Sequence, residues 1–129
     1  MSNAKIIIAG GRDFDDYNYM KKSVDEVIGH LTYKNIIDKI EIVSGMAEGA
    51  DFLGIKYAFD KGYNIHPCEP KFWEHGTLAG EMRNKTMAEY ASDSDFPCLC
   101  IFWNGKSKGS KHMIETAGEY HIPTHIFPY

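Results

Sequence analysis

The strongest constraint on this chain is an apolar run closed by two glycines. Lys5-Ile6-Ile7-Ile8-Ala9 carries three successive isoleucines and ends at Gly10-Gly11. An unbroken apolar run of this length reads as a strand buried on both faces, as in a parallel sheet covered by helices. The motif recurs. Ile40-Glu41-Ile42-Val43 ends at Ser44-Gly45, Tyr63 to His66 is stopped by Pro67, Cys98 to Trp103 runs into Asn104-Gly105, and Pro123 to Phe127 comes last. Between these runs the apolar spacing turns helical. Tyr17 to Leu31 places Tyr17, Met20, Val24, Val27, Ile28 and Leu31 on one stripe. Ala50 to Lys61 is a second helix, which Gly62 is placed to end. Glu81 to Ala91 and Ser110 to Tyr120 are two more, and residues 67–80, with two prolines and two glycines, read as a loop. Strands that alternate with helices imply βαβ units: an α/β fold with about five strands, near 5–9, 40–43, 63–66, 98–103 and 124–127, in one mainly parallel sheet.

The 129 residues suit one domain, and a composition that is 43% hydrophobic and 25% charged supports a single core. Neither an internal repeat nor a linker divides residues 1–129. The polar start Met1-Ser2-Asn3-Ala4 reads as a cloning remnant outside the fold. A net charge of −4 argues against a duplex-binding surface, and the basic spot of Lys106, Lys108 and Lys111 is short. No apolar stretch approaches the ~18 residues of a membrane helix, so no membrane partner is expected. Cys68, Cys98 and Cys100 are odd in number and follow no secretory signal, which fits reduced thiols in a cytoplasmic protein. Cys98 and Cys100 share a strand face, but His or Cys partners at ligand spacing are missing. Neither a metal nor a cofactor is expected.

Ligands of open parallel sheets bind outside the carboxyl ends of the strands. Three such ends carry unusual loops. In the first, Gly10 and Gly11 allow close backbone approach, and Arg12 can fork onto a phosphate or carboxylate. The second, Ser44-Gly45-Met46-Ala47-Glu48-Gly49-Ala50-Asp51, leads straight into a helix whose free N–H groups suit an anion. Asp51 either caps that helix or meets the ligand. The loop lacks the Gly-Lys-Ser/Thr ending of a Walker sequence, so ATPase chemistry is not indicated. The third, from Trp103 through Asn104, Gly105, Lys106, Ser107, Lys108 and Gly109 to Ser110, also opens a helix. Its two glycines, hydroxyls and lysines fit phosphate binding. Arg83 and Asn84, in the charged start of the third helix, are placed to reach the same ligand. Tyr17, Phe72, Trp73 and Trp103 are candidates to stack on a base, although core packing is the commoner fate of such rings.

Gly-Gly-Arg-Asp-Phe at 10–14, Ser-Gly-Met-Ala-Glu-Gly-Ala-Asp at 44–51, Arg-Asn-x-x-Met at 83–87 and Trp-Asn-Gly-Lys-Ser-Lys-Gly-Ser at 103–110 occur in that order. Together they resemble the SLOG superfamily, which joins the DNA-processing protein A (SMF) proteins to the LOG, lysine decarboxylase-like, proteins. The match is nearest to the YspA and YpsA-related branch and runs from about Lys5 to Phe127. The resemblance implies a Rossmann-like three-layer sandwich that binds nucleotides or nucleotide derivatives, in a domain type that is often dimeric or larger. It assigns ligand contact to Gly10, Gly11, Arg12, Ser44, Gly45, Gly49, Asp51, Arg83, Asn84, Trp103, Gly105, Ser107, Gly109 and Ser110.

The LOG branch contains nucleoside monophosphate N-glycosidases with the pattern Pro-Gly-Gly-x-Gly-Thr-x-x-Glu. Arg83 and Met87 keep the arginine spacing of those enzymes, and Gly109-Ser110 matches the Gly-Thr step, but the glutamate position falls on Met113. Methionine cannot act as a general acid or stabilise an oxocarbenium-like centre. Glu115, two residues on, points elsewhere on a helix. An enzyme would have to work with Arg83 and Glu48. The expectation is therefore a binding module that senses or sequesters a nucleotide-like small molecule. Phosphoribohydrolase activity ranks second. Single-stranded DNA binding, known in the DNA-processing branch, ranks third, because the chain lacks an extended basic surface.

Overall fold

A computed structural model describes residues 2–129. In chain order the elements are β1 (Asn3–Gly10), α1 (Tyr17–Lys34), β2 (Lys39–Ser44), α2 (Ala50–Lys61), β3 (Asn64–Pro67), α3 (Phe72–His75), a 3-10 turn (Gly76–Leu78), α4 (Ala79–Ser92), β4 (Phe96–Trp103), α5 (Lys108–Glu119) and β5 (Thr124–Pro128). The five strands form one sheet in the order β3-β2-β1-β4-β5. Every neighbouring pair is parallel.

Strand alternation divides the core into two layers. Ile6 and Ile8 of β1 face α1 and α2, where they meet Met20, Val24 and Tyr57. Ile7 and Ala9 face α4 and α5, against Met87, Ala88 and Met113. The isoleucines are fully buried, each worth about 2 kcal/mol of transfer free energy. Helices on both faces make the Rossmann-like sandwich. The chain winds outward from β1 to β3, then returns to place β4 on the other side of β1. That reversal opens a crevice beyond the carboxyl ends of β1 and β4.

Of the boundaries that differ from the sequence expectation, three have a clear cause. Asn3 and Ala4 belong to β1, not to a remnant outside the fold. Ala4 is buried between Ile40 and Phe96, and the Asp95 carboxylate accepts the Asn3 N–H at 3.0 Å. Ser2 exchanges hydrogen bonds with Asp38, and Met1 lies outside the described residues. Small and polar residues hid a pairing that tertiary partners supply. The expected loop over 67–80 contains α3 and the 3-10 turn, started by the Lys71 carbonyl, which accepts the N–H groups of Glu74 and His75. Finally, α5 begins at Lys108, because Ser107 caps it and accepts the Ser110 N–H. Among the described residues no helix is long and apolar enough to cross a membrane.

Candidate functional site

The crevice beyond β1 and β4 is a cleft of about 590 Å³. The loops after β1, β2 and β4 all reach it, as does the first part of α4.

The first loop is held against β4 by its backbone. Gly10 has φ +151°, and a Cβ there would lie 2.3 Å from the Phe102 carbonyl oxygen. Gly11 donates its N–H to that same oxygen at 3.0 Å. Gly10, Gly11, Arg12 and Asp13 thereby line the cleft. The Tyr129 phenol donates to Asp13 Oδ1 at 2.5 Å and packs its ring edge-on to Phe14, which pins the loop from outside.

The second loop is stitched to itself and to the first. Buried Ser44 donates to the Asp51 carbonyl at 3.1 Å and accepts the Met46 N–H at 3.2 Å. Asp51 Oδ2 accepts the Ala47 N–H at 3.2 Å. Gly49 has φ +80°, and a Cβ there would stand 2.3 Å from the Gly11 oxygen. That oxygen accepts the Ala50 N–H, the first amide of α2, at 3.1 Å. Only Ala47 and Asp51 of this loop line the cleft; Ser44, Gly45, Glu48 and Gly49 do not.

Asp51 is 4% exposed. Burial pushes its carboxyl up to about 6, against the pull of Arg83, the Ala47 amide, Arg12 and the Gly10 amide. Arg83 reaches in from α4. Its Nη1 donates to the Gly45 carbonyl at 2.7 Å and lies 4.0 Å from Asp51 Oδ2, and its Nε donates to Asn84 Oδ1 at 3.3 Å. Burial lowers the affinity of the guanidinium for its proton, with Asp51 opposing. A guanidinium stays charged regardless.

The third loop ends in an open helix start. Asn104 Oδ1 accepts the N–H groups of Lys106 and Ser107, at 2.8 and 3.0 Å. Ser107 Oγ accepts the Ser110 N–H at 3.3 Å. The amides of Lys108 and Gly109, first in α5, have no intrahelical acceptor. Both residues line the cleft, with Ser107 and Ser110. Trp103 and Gly105 do not: the indole N–H closes the loop onto the Ser107 carbonyl at 3.0 Å, and Gly105 turns the chain at φ +82°. Asn84, buried, binds α4 to α5 through the Gly109 carbonyl at 3.4 Å and His112 Nδ1 at 3.1 Å.

Asp13, Glu81 and His112 line the cleft beyond the residues singled out from sequence, and of the two loop lysines expected to meet phosphate Lys108 lines it. Glu81 and His112 were legible as helical neighbours: Glu81 precedes Asn84 by three residues and His112 follows Lys108 by four. Met113 sits at the cleft's inner wall, 1% exposed among Met87 and Ala117, while Glu48 and Glu115 are exposed outside it. None of the candidate stacking rings lines the cleft. Tyr17 donates to Asp60 at 2.6 Å, and Phe72 and Trp73 are exposed elsewhere.

No family model and no curated protein matches the chain. Among solved structures it is similar to DNA processing protein A (DprA) from Streptococcus pneumoniae, with TM-score 0.65 and 19% identity, over 99% of this chain and 51% of that one. The chain thus spans about half the length of that structure. The likeness shows the fold, a parallel five-stranded sheet between two helical layers.

Proposed function

We propose that the chain is a SLOG-type domain, of the YspA and YpsA-related kind, that binds a nucleotide or nucleotide derivative by its phosphate without transforming it. One observation carries this reading: the open amino end of α5 converges with Arg12 and Arg83 on a single cleft. Helix amides and guanidinium groups are both anion partners, and charge-assisted bonds of this kind are worth about 1.5–3 kcal/mol each. The cleft's size is ordinary for a small-molecule site. Three buried free thiols accord with a cytoplasmic setting.

Met113 is what supports binding without catalysis. The position that the LOG pattern gives to glutamate is an apolar wall here. We expect no steady release of free base from nucleoside monophosphates in a chromatographic assay; release that Arg83→Ala abolishes would establish the enzyme reading instead. The fold likeness to a DNA-processing protein favours single-stranded DNA as a second ligand class. The acidic balance of the chain weighs against it, since backbone tracking relies on clustered Lys and Arg.

The test is a thermal-shift screen over mono-, di- and cyclic nucleotides, ADP-ribose-like compounds and a single-stranded oligonucleotide. A nucleotide-type ligand at ~100 times its dissociation constant adds ~2.7 kcal/mol, a shift of several degrees for a domain of this size. A shift with the oligonucleotide alone would put DNA in its place, and no shift at all would end the proposal.

A further inference from the structure

Arg83 is the deepest cation of the cleft, and the protein already uses it. Its Nη1 holds the Gly45 carbonyl at 2.7 Å and stands 4.0 Å from the Asp51 carboxylate. Both side chains line the cleft, at 15% and 5% exposure. A phosphate that reaches Arg83 therefore arrives beside a buried carboxylate.

The other groups around Asp51 do not relieve that conflict. Arg12 approaches from the loop after β1, and the amides of Gly10 and Ala47 point at the carboxylate. Across the cleft stand Asp13 and Glu81, with Lys108 and His112 on α5. Cys68 lies near Arg83 on its other side. Leaving His112 aside, three cations line the cleft against three carboxylates. Asp13 and Glu81 are at the surface, where water screens them. Asp51 is the carboxylate whose charge is buried, and its proton is the one whose arrival leaves the cleft net positive.

Resting on the nucleotide-binding reading above, we propose that Asp51 and the ligand's phosphate compete for Arg83, so that anion binding in the cleft is coupled to proton uptake by Asp51. The ligand is thus held tightly in mildly acidic conditions and loosely above neutrality. The raised proton affinity of Asp51 places this exchange near pH 6. Asp51 is a positioning residue here: it acts on the ligand through Arg83.

Inorganic sulfate is the probe, because it does not titrate in this range and any proton taken up belongs to the protein. Calorimetry in two buffers of different ionisation enthalpy is expected to show about 0.9 proton bound per sulfate at pH 7 and about 0.1 at pH 5, with affinity about tenfold higher at pH 5. Asp51→Asn is expected to bind about tenfold tighter than the native protein at pH 7, with the pH dependence gone. His112→Asn is expected to keep it. Should Asp51→Asn not fold, the proton count on the native protein decides alone. Sulfate binding with no proton uptake, a pH dependence that follows His112 instead, or no sulfate binding at either pH overturns the coupling. AMP run in parallel separates the two proposals. If sulfate binds with uptake and AMP does not bind, the nucleotide reading fails and the coupling stands. If AMP binds and sulfate shows no uptake, the reverse holds.

Discussion

Two helices of this fold start in the same way, and another loop covers one of the two starts. Both α2 and α5 follow a glycine-containing loop at the end of a strand, the arrangement that usually marks an anion site. At α2 the loop after β1 covers that site, although the Asp51 and Phe52 amides, like those of Lys108 and Gly109 in α5, have no intrahelical acceptor. The Gly11 carbonyl takes the Ala50 amide, and the Asp51 carboxylate takes the Ala47 amide. At α5 the only cap is Ser107 Oγ on Ser110, and the amides of Lys108 and Gly109 face no intrahelical acceptor. The difference comes from chain neighbours, not from the loops' own composition. The loop after β1 folds over the start of α2, close enough to exclude any side chain at Gly49. Around Gly109 a Cβ would meet nothing within 4 Å. A glycine loop at a strand end therefore signals close approach; whether a ligand or another loop makes that approach depends on the fold.

Valine at the two glycines is the strongest way to break this contrast. Gly49→Val must adopt a left-handed backbone, at about 1–2 kcal/mol, and drive a side chain into Gly11 and Arg12, at about 1–3 kcal/mol more. Urea unfolding should show a loss of about 2–5 kcal/mol. Gly109→Val meets neither obstacle and should stay within about 1 kcal/mol of the native protein. Equal losses at the two positions would erase the distinction.

The sealed start also carries a pH signature. Folding raises the Asp51 carboxyl from 3.8 to about 6, so the folded state holds this proton more tightly than the unfolded chain does. Its contribution to stability is complete below about pH 3.8 and is lost as pH rises through about 6. The native protein should lose about 2.4 kcal/mol relative to Asp51→Asn between pH 4 and pH 7. Denaturant midpoints of the two proteins across that range measure the difference; parallel curves would mean that Asp51 is not desolvated.

Smaller effects sharpen the open start. Arg12→Ala removes a surface cation at the cleft's rim, and it should weaken nucleotide binding by about 1.5–3 kcal/mol while leaving the midpoint of the free protein nearly unchanged. Ser107→Ala removes the cap of α5 and should cost about 1 kcal/mol of stability. An unchanged affinity in Arg12→Ala, or an unchanged stability in Ser107→Ala, would show that these groups are idle.

Much of this was legible in the chain. The isoleucine run of β1 and the alternation after it foretold a parallel sheet with its glycine loops on one edge, because burial on both faces leaves an unmistakable apolar block. Arg12, Arg83, Asn84 and Gly109 were legible as a group for the same reason: each follows a strand end or opens a helix at that edge. What stayed hidden depended on distant partners. Nothing local in Ala4 says that Ile40 and Phe96 flank it, and nothing in Gly49 says that Gly11 covers it. Trp103 looked like a stacking ring, yet its indole N–H turns back to the carbonyl of Ser107. His112 went unnoticed, although its place one helical turn after Lys108 was the signal that could have found it.

The contrast between the two helix starts can be read amide by amide. A nitrogen–proton correlation spectrum of the labelled protein, titrated with AMP, reports each backbone N–H separately. If α5 holds the phosphate, the Lys108 and Gly109 amides shift strongly and in step with saturation, Ala50 stays bonded to Gly11 and barely moves, and Gly109→Val loses the response. Strong shifts at Ala47 to Asp51 with none at Lys108 and Gly109 would contradict this assignment and move the anion site to α2.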